Sequence, residues 1–458
     1  MAEEQHNQIK LELKDRSLGG TEHNWCRAVS SGTGITVLAV QVSKEPDSLA
    51  LQDALHKIQN AHPILRSKLH KNTPNTTTTT GTFSFITPSK PHLQLKSFYF
   101  SNPSNTSISP LQAILEQELN NKVWSDHNRF PGTGADVFFA SLYTVPGEKW
   151  VLVLRLHAAA CDRTTAVSLL KELMVLMGEN EGEVTKRETG NKGEVSLGIE
   201  DLIPNGKAKK TLWAHGVDML GYSVNSLRLT NLKFKDVKWP RCSEVVRLHM
   251  NSHDTQMILA GCKSRGIKLC GVLAAAGLIA AHSSKYRPDH HLKKYGVVTL
   301  MDCRFYHSAI LNIHQVKGGD ELWEVAKRSY MAFKNSKDNN KHFSDMADLN
   351  FLMCKAINNP GLTASSSLRA SLLTVFEDPV IDNTNETQRN LGLDDYMGCA
   401  SVHGVGPSIG IFDTIRDGEL DCVCVYPSPL HSREQMLELV DKMKMVLVEG
   451  GNCGKSEN

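Results

Sequence analysis

Apolar positions recur along the chain at two spacings, which predict strands and helices that alternate from one end to the other. The clearest strand is predicted at 149–156, where Val151 to Leu156 is a run dominated by β-favouring residues. Val167, Leu170 and Met174 then recur at helical spacing. The chain therefore passes from a buried strand through a short turn into a helix, and this stretch organises the rest of the prediction.

The remaining pattern predicts an α/β (mixed α+β) fold in two similar-sized domains. A Thr-rich run at 73–82 is predicted as the tip of a hairpin, and the polar, Gly-rich run at 178–198 as an exposed crossing. The predicted limits are 1–177 for the N-terminal domain, 178–240 for the crossover segment with its helix, and 241–458 for the C-terminal domain. Further strands are predicted at 35–42, 68–71, 82–87, 92–98, 136–144, 244–250, 296–301, 371–376, 398–403, 408–413 and 419–426.

The composition is that of an ordinary soluble globular protein, with 40% hydrophobic and 22% charged residues. A net charge of +2 gives no electrostatic reason to expect nucleic acid or an acidic membrane as a partner. No apolar run approaches the ~18 residues that span a bilayer, and the N-terminus lacks a signal-peptide pattern. The 11 cysteines are scattered without a CxxC pair, as is typical of reduced thiols. We therefore expect a cytoplasmic monomer with no membrane and no nucleic-acid partner.

His157 and Asp162 are the candidate catalytic residues, because both lie in the turn between the predicted strand and helix. A histidine can accept a proton from a hydroxyl or amine, and a nearby carboxylate can orient its ring. One His near one Asp is common, so the prediction rests on their position. Cys161 could act as a nucleophile, but a buried, inert thiol is the favoured interpretation. His290 and His291 lack the partners that a metal site needs, and no metal is predicted.

Four motifs resemble those of the CoA-dependent acyltransferase superfamily, which comprises condensation domains, alcohol acetyltransferases and the plant BAHD enzymes. They are Ala61-His-Pro-Ile-Leu-Arg66, the turn at 157–162, Asp302-Cys-Arg304, and Ser401-Val-His-Gly-Val-Gly-Pro407. Their order and spacing fit the superfamily across nearly the whole chain. More narrowly, the run from Asp421 to Ser432 is similar to one in a plant group of condensation-like proteins.

The resemblance implies two chloramphenicol-acetyltransferase-like domains with a solvent channel between them. Acyl-CoA would be a co-substrate rather than a bound cofactor, and would enter from one face while the acceptor enters from the other. In the family the catalytic motif is His-x-x-x-Asp, and its Asp pairs with an arginine of the second half. By this likeness Asp162 pairs with Arg304, which supports the site. The residues expected to line the channel are Ala158, His403, Gly404 and Gly406.

The family motif is not intact in this chain. Ala158 stands four residues before Asp162, His157 falls one position early, and Arg163 replaces the usual glycine. Adjacent residues of a strand face opposite sides, so His157 reaches the channel only where the strand has broken or bulged. The loss of a general base typically costs about 10²- to 10⁴-fold in rate. His403 is an alternative base, although a loop histidine held by backbone hydrogen bonds is the favoured interpretation.

Two functions remain open at this point. The first is an acyltransferase that moves an acyl group from acyl-CoA to a hydroxyl or amine of a small metabolite. The second is a catalytically inactive relative that binds a ligand or a partner protein, as Ala158 suggests. A different reaction in the same channel, such as an elimination, is a third. The direct run from Arg304 into Phe305 further indicates a shortened channel loop or a splice variant.

Overall fold

The computed structural model describes residues 13–72, 82–101, 108–125, 134–178, 197–226, 228–283, 292–303, 307–363, 366–382 and 392–452. Its strands are β1 Leu13–Ser17, β2 Thr33–Val42, β3 Lys68–Lys71, β4 Phe83–Pro88, β5 Lys96–Tyr99, β6 Ala135–Asp136, β7 Phe138–Val145, β8 Lys149–His157, β9 Cys242–Met250, β10 Lys293–Asp302, β11 His307–Val316, β12 Arg369–Phe376, β13 Val380–Asp382, β14 Leu393–Val402, β15 Gly406–Arg416 and β16 Glu419–Ser428. Its helices are α1 Gly20–Ser30, α2 Ser48–Ala61, α3 Pro110–Leu119, α4 Arg163–Gly178, α5 Leu212–Ser226, α6 Ser252–Arg265, α7 Leu269–Ser283, α8 Leu322–Asp338, α9 Lys341–Ser344, α10 Met346–Asn358 and α11 Arg433–Asn452. Short 3-10 helices lie at Pro63–Arg66, Ile199–Leu202 and Pro360–Leu362.

The described strands form a four-stranded, a five-stranded and a seven-stranded sheet. The strand orders are β1-β4-β3-β6, β14-β2-β8-β7-β5 and β11-β10-β12-β15-β16-β9, with β13 beside β15 in the last sheet. Strand β14 belongs to the C-terminal half of the chain but pairs antiparallel with β2, where Cys399 lies opposite Val37. The two halves are therefore joined through a shared sheet, which fixes the walls of the space between them.

Three clusters of buried apolar side chains hold these layers together. In the N-terminal half, α2 and α4 pack on the five-stranded sheet through residues such as Leu55 and Leu170. In the C-terminal half, α7 is buried along nearly its whole length. The third cluster lies between the five-stranded and seven-stranded sheets and includes Val37, Val153 and Val425. Since apolar burial is the main force that stabilises a fold, this third cluster locks the two halves face to face.

The α/β fold class predicted from the sequence is confirmed. The predicted strand at 149–156 is β8, and α4 follows it after a short turn. Strands β3 and β4 form the predicted antiparallel hairpin, with Lys71 opposite Phe83. Residues 73–81 of its tip and 179–196 of the predicted crossing lie outside the described residues. The predicted domain limits stay a prediction.

The sequence pattern does not predict α1 or β11. In β11 the buried positions include Ser308 and His314, so polar residues interrupt the alternation that marks a strand. The register is nonetheless regular, because β11 pairs with β10 from His307 opposite Asp302 to Val316 opposite Lys293. The hairpin thus brings the polar residues at the ends of two strands together, beside the space between the halves.

No single helix in the described part of the chain is long and apolar enough to cross a membrane. The neighbouring helices Ser252–Arg265 and Leu269–Ser283 reach that length and apolarity only as a pair, and they meet at an angle of 111°.

Candidate active site

The turn between β8 and α4 holds the residues of the predicted catalytic centre. Asp162 is buried and begins α4 as its cap, because Oδ1 accepts the backbone N–H of Thr165 at 2.7 Å. Its other oxygen, Oδ2, has no hydrogen-bond partner among the described residues. Burial raises the pKa of Asp162, and the charge of Asp302 raises it further against the opposing effect of His307. Arg304, the expected partner of Asp162, lies outside the described residues.

His157 ends β8 with its ring directed into the protein interior. The residue is fully buried, and its ring meets Trp124 edge-on, with 5.2 Å between ring centroids. Nδ1 accepts the backbone N–H of Ala159 at 3.1 Å, and the backbone N–H of His157 binds the carbonyl of Val137 at 3.0 Å. His157 is not among the residues that line the cavity between the halves. The strand keeps its alternation to its last residue, so the break needed to turn His157 to the channel is not formed.

Ala158, the next residue, faces the opposite side and lines the cavity. Its backbone N–H donates to the carbonyl of Gly34 at 3.2 Å. Gly34 has a φ of +94°, and a Cβ there would come within 3.0 Å of the Ala158 methyl and 3.1 Å of the Trp25 ring. At residue 158 the cavity wall is therefore formed by a methyl group.

The cavity lies between the two halves and has a volume of about 200 Å³. Both halves contribute to it, through β2 and the turn on one side and through β10, β11, β12, β14, β15 and α10 on the other. Its wall is largely apolar, as is usual for sites that bind small molecules. The lining residues are Trp25, Thr33, Gly34, Thr36, Ala158, Val298, Leu300, His307, Ala309, Met346, Leu349, Asn350, Met353, Ala370, Ser371, Thr374, Phe376, Ala400, Ser401, Val402, Val405, Gly406, Pro407, Gly410 and Phe412.

His307 is the one titratable side chain among these lining residues. It begins β11, and its Nδ1 lies 2.8 Å from Oδ1 of Asp302, which ends β10. Nε2 accepts the backbone N–H of Arg163 at 3.2 Å, and the ring meets Phe376 edge-on at 5.6 Å. The other Asp302 oxygen accepts the Thr164 hydroxyl at 2.5 Å. A carboxylate thus lies within ion-pair distance of one ring nitrogen, although the angles at these two atoms are not those of a hydrogen bond. A carboxylate this close to a histidine ring favours its protonated form, as a general base needs.

The charges of this pair reinforce each other. Burial would lower the pKa of His307, but the close contact with Asp302 and the charge of that carboxylate outweigh that effect and raise it. Burial would likewise raise the pKa of Asp302, but His307 outweighs that effect and holds it at about 2. Asp302 is therefore ionised at neutral pH, and His307 is a stronger base than an ordinary histidine.

A buried ion pair joins the turn to the C-terminal half. Nη1 of Arg163 lies 3.2 Å from Oδ1 of Asp413, and both side chains are at most 5% exposed. The guanidinium also donates to the carbonyls of Asp378 and Asp413 and lies over the Phe376 ring, 4.0 Å from its centroid. Burial raises the pKa of Asp413, against the lowering effect of Arg163. Arg163 thus adds a buried polar link between the two halves to the shared sheet and the apolar cluster that also join them.

The glycine-rich segment at 401–407 contributes to the cavity only in part. Gly406 lines it, whereas His403 and Gly404 are not among the lining residues. His403 is held by Ser243, with 3.0 Å between Nδ1 and the hydroxyl, and burial, then the charge of Arg369, lowers its pKa to about 4. The sequence favoured a histidine held by backbone hydrogen bonds, whereas the observed partner is a side-chain hydroxyl. Gly404 instead packs closely against Ser31, because a Cβ there would lie 2.5 Å from the Ser31 carbonyl oxygen.

Two further buried residues near the cavity, Arg369 and Cys161, have structural roles. Arg369 is fully buried and donates to the carbonyls of Ser367, Val402, Gly404 and Pro407, which orders the 401–407 segment. Burial lowers its pKa to about 9. Cys161 is buried, and burial raises the pKa of its thiol well above the ordinary value. That makes it the inert thiol favoured from the sequence.

Sequence reasoning missed His307, Asp302 as its partner, Arg163 and Arg369. Arg163 carried a signal, because a cation in the first turn of a helix is electrostatically unfavourable unless it has an anionic partner. His307 gives a weaker signal, since it lies five residues after Asp302, the first residue of the Asp302-Cys-Arg304 motif. The hairpin that brings these two residues together could not be read from the interrupted pattern of β11.

By sequence, no protein-family model and no curated protein matches the chain. Solved structures do match over nearly its full length. Polyketide synthase associated protein 5 from Mycobacterium tuberculosis is 16% identical, with 96% of this chain and 98% of that chain covered and a TM-score of 0.64. Trichothecene 15-O-acetyltransferase from Fusarium sporotrichioides is 10% identical, with 95% of each chain covered and a TM-score of 0.65.

A third similar structure is the cyclization-docking bidomain of the EpoB nonribosomal peptide synthetase from Sorangium cellulosum. It is 13% identical, with 95% of this chain and 85% of that chain covered and a TM-score of 0.62. The chain therefore has the chloramphenicol-acetyltransferase-like fold of condensation domains and acetyltransferases, as predicted. At this level of identity the likeness is one of fold, which hosts different chemistries, so the function has to be argued from the site.

Proposed function

We propose that the protein is an acyltransferase that moves an acyl group from acyl-CoA to a hydroxyl or amine of a small metabolite. In this proposal His307 is the general base in place of the histidine that Ala158 replaces. The observation that carries the proposal is the contact of 2.8 Å between His307 and Asp302 at the wall of the cavity that Ala158 also lines. The similarity of the run from Asp421 to Ser432 further suggests the plant condensation-like group and a role in specialised metabolism.

The proposed reaction needs one proton acceptor and no resident cofactor. The oxygen or nitrogen of the acceptor attacks the thioester carbonyl, and its proton passes to Nε2 of His307. As the C–S bond breaks, the same proton passes to the CoA thiolate, so the products are the ester or amide and free CoA. The acceptor has to replace the Arg163 amide as the partner of Nε2, a contact that at 3.2 Å is long for a hydrogen bond. Asp302 keeps the ring in place throughout.

Release of CoA thiol from a panel of acyl-CoA donors, with hydroxyl and amine acceptors, tests this proposal. We expect His307→Ala to lower kcat by about 10²- to 10⁴-fold, as for other general bases. His249→Ala is the matched control, because that side chain is 51% exposed and should leave turnover unchanged. His157→Ala distinguishes the roles of the two histidines. Because the proposal gives His157 no contact with substrate, this variant should keep its turnover. Turnover that survives His307→Ala but not His157→Ala would assign the base to His157 and overturn the proposal.

A second candidate function, favoured by the Ala158 methyl in the cavity wall, is a catalytically inactive protein that binds an apolar ligand between its halves. In that case acyl-CoA thioesters would raise Tm without release of thiol. The Ala158→His variant then gains turnover, and Ala158→Gln, of similar size but without a base, does not. Since Ala158 is buried against Trp25 and Gly34, Tm of both variants has to be compared first, and only variants that fold like the wild type are compared for turnover.

A further inference from the structure

Helix α5, in the segment between the two halves, carries its apolar residues on the outside. Leu212 is 90% exposed, and Trp213, Val217, Leu220 and Val224 are 81%, 50%, 66% and 39% exposed. The last four recur at spacings of four, three and four residues, which places them in one stripe along the helix. Large apolar side chains gathered on one exposed face are unusual in a protein surface and mark an interaction site.

The opposite face of α5 is polar and holds the helix onto α9 and α10. His215 lies 2.6 Å from Asp348, and Lys210, just before α5, lies 2.5 Å from Asp218 and 2.7 Å from both Asp345 and Asp348. The Tyr222 hydroxyl donates to Asp345 as well. At about 100° per residue, this face and the apolar stripe lie roughly 160° apart around the helix axis. The helix is thus attached to the protein by its polar side, and the described residues leave the stripe uncovered.

The charges beside the stripe are positive. Residues 203–228 contain four basic residues and one acidic residue, but one of the basic residues, Lys210, has its side chain buried against Asp218, Asp345 and Asp348 on the opposite face of the helix. The exposed basic residues are Lys207 and Lys209, which precede α5 in the chain, and Arg228, which follows it. The exposed charges that flank α5 directly along the chain are therefore basic, and the helix between them exposes Trp and Leu side chains. Exposed apolar side chains between basic residues suit a lipid surface, which has an apolar acyl-chain layer beneath anionic headgroups.

We propose that α5 docks the protein onto an anionic lipid bilayer, with its apolar stripe in the acyl-chain boundary and its basic residues at the headgroups. The helix lies in the plane of the surface and does not cross it, which agrees with the lack of a spanning helix among the described residues. The proposal is independent of the acyl-transfer proposal, since α5 contributes no residue to the cavity wall.

Flotation of the full chain with lipid vesicles tests the docking. We expect binding to vesicles of phosphatidylcholine with about 30% phosphatidylserine, little binding to phosphatidylcholine alone, and weaker binding as salt rises from about 0.1 M to 0.5 M. The variant Trp213→Ser with Val217→Ser and Leu220→Ser should bind at least about 10-fold less. The pair Lys207→Gln and Lys209→Gln should bind about 25-fold less, since each basic residue near such a surface contributes about 5-fold.

A matched control keeps the apolar change on the surface but moves it to another helix. Leu437 and Met445 on α11 are 43% and 59% exposed, so Leu437→Ser with Met445→Ser should bind like the wild type. Absence of binding to the anionic vesicles would overturn the proposal, and so would equal binding of the wild type and the α5 variants. Concentration-dependent dimers in sedimentation experiments that the triple variant abolishes would show that a second copy covers the stripe, which also overturns it.

Discussion

The two polar centres beside the cavity, one from each half of the chain, differ in the direction of their histidine. At the end of β8 the ring of His157 packs against Trp124 in the interior, and at the start of β11 the ring of His307 lies in the cavity wall. Side chains of a strand alternate between its two faces, so an offset of one residue moves a side chain from one face to the other. A motif can therefore be nearly intact along the sequence while its functional group is absent from the site.

The first turn of α4 contacts both centres. Three consecutive residues act there: Arg163 binds Asp413 and His307, Thr164 binds Asp302, and Thr165 binds Asp162. The carboxylates of Asp162 and Asp302 at this end of the helix are favoured by its dipole and by its free backbone N–H groups. The start of α4 thus connects the centre that the sequence pointed to with the centre that faces the cavity.

The largest difference between the two centres should appear on replacement of their carboxylates. Asp302→Asn removes the group that orients His307 and raises its pKa, so we expect kcat to fall by about 10²- to 10⁴-fold. The pKa of His307 should also fall, which moves the acid limb of the pH profile of kcat/KM to lower pH. An NMR titration of the His307 ring measures this shift even if turnover is lost. Asp162→Asn should lower the pKa of His307 by less, because Asp162 acts on that ring through its charge alone. An unchanged His307 titration in Asp302→Asn would contradict the assignment.

The ion pair that spans the two centres should dominate the stability of this region. Arg163→Met leaves Asp413 buried without its partner, and such a change typically costs about 3–5 kcal/mol in the free energy of unfolding. The double variant Arg163→Met with Asp413→Leu removes both charges, so most of the loss should be recovered. Urea unfolding of the wild type and the two variants measures both quantities. A loss below about 1 kcal/mol in Arg163→Met would mean that the pair does not join the halves.

Two histidines of the C-terminal half should give opposite pH dependences of stability. The pKa of His403 falls from 6.5 to about 4 on folding, so the unfolded state binds more protons in that range and stability is lost as pH falls through it. At 1.36 kcal/mol per pKa unit this contributes about 3 kcal/mol. The pKa of His307 is raised, so its contribution is fully present below pH 6.5 and is lost as pH rises through the folded-state pKa.

Urea unfolding at several pH values between 4 and 8.5 separates these two effects. His403→Gln can still hydrogen-bond Ser243 but does not titrate, so the decline towards pH 4 should become shallower than in the wild type. His307→Gln should instead remove the loss of stability at higher pH. If both variants changed the same limb of the plot of unfolding free energy against pH, the two histidines would not have opposite effects on stability.

The fold and the region of the site could be predicted from the sequence, whereas the residue that faces the cavity could not. Strong periodicity marked β8 and α4, and the position of Ala158 in the motif indicated that the expected base is missing. His307 depended on the β10–β11 hairpin, which polar residues at buried positions such as Ser308 and His314 conceal. The Arg163–Asp413 pair joins residues 250 positions apart, and contacts of that kind have no local pattern.

The smallest expected effect concerns Asp162, for which the family resemblance implies an ion pair with Arg304 and the structure shows a helix cap. If the cap is its main role, Asp162→Ala should cost about 1 kcal/mol, while Asp162→Asn keeps an acceptor for the Thr165 N–H and should cost far less. If Oδ2 also pairs with the Arg304 guanidinium, Asn leaves that cation without its charged partner and costs as much as Ala or more. Urea unfolding of the two variants, with Arg304→Met as the matched partner change, decides between the roles. Burial raises the pKa of Asp162. If Asp162 acts as a cap alone, the free energy of unfolding of the Asn variant should therefore stay close to that of the wild type between pH 5 and 8. If Asp162 forms an ion pair, the Asn variant should be less stable than the wild type by a constant amount across that range.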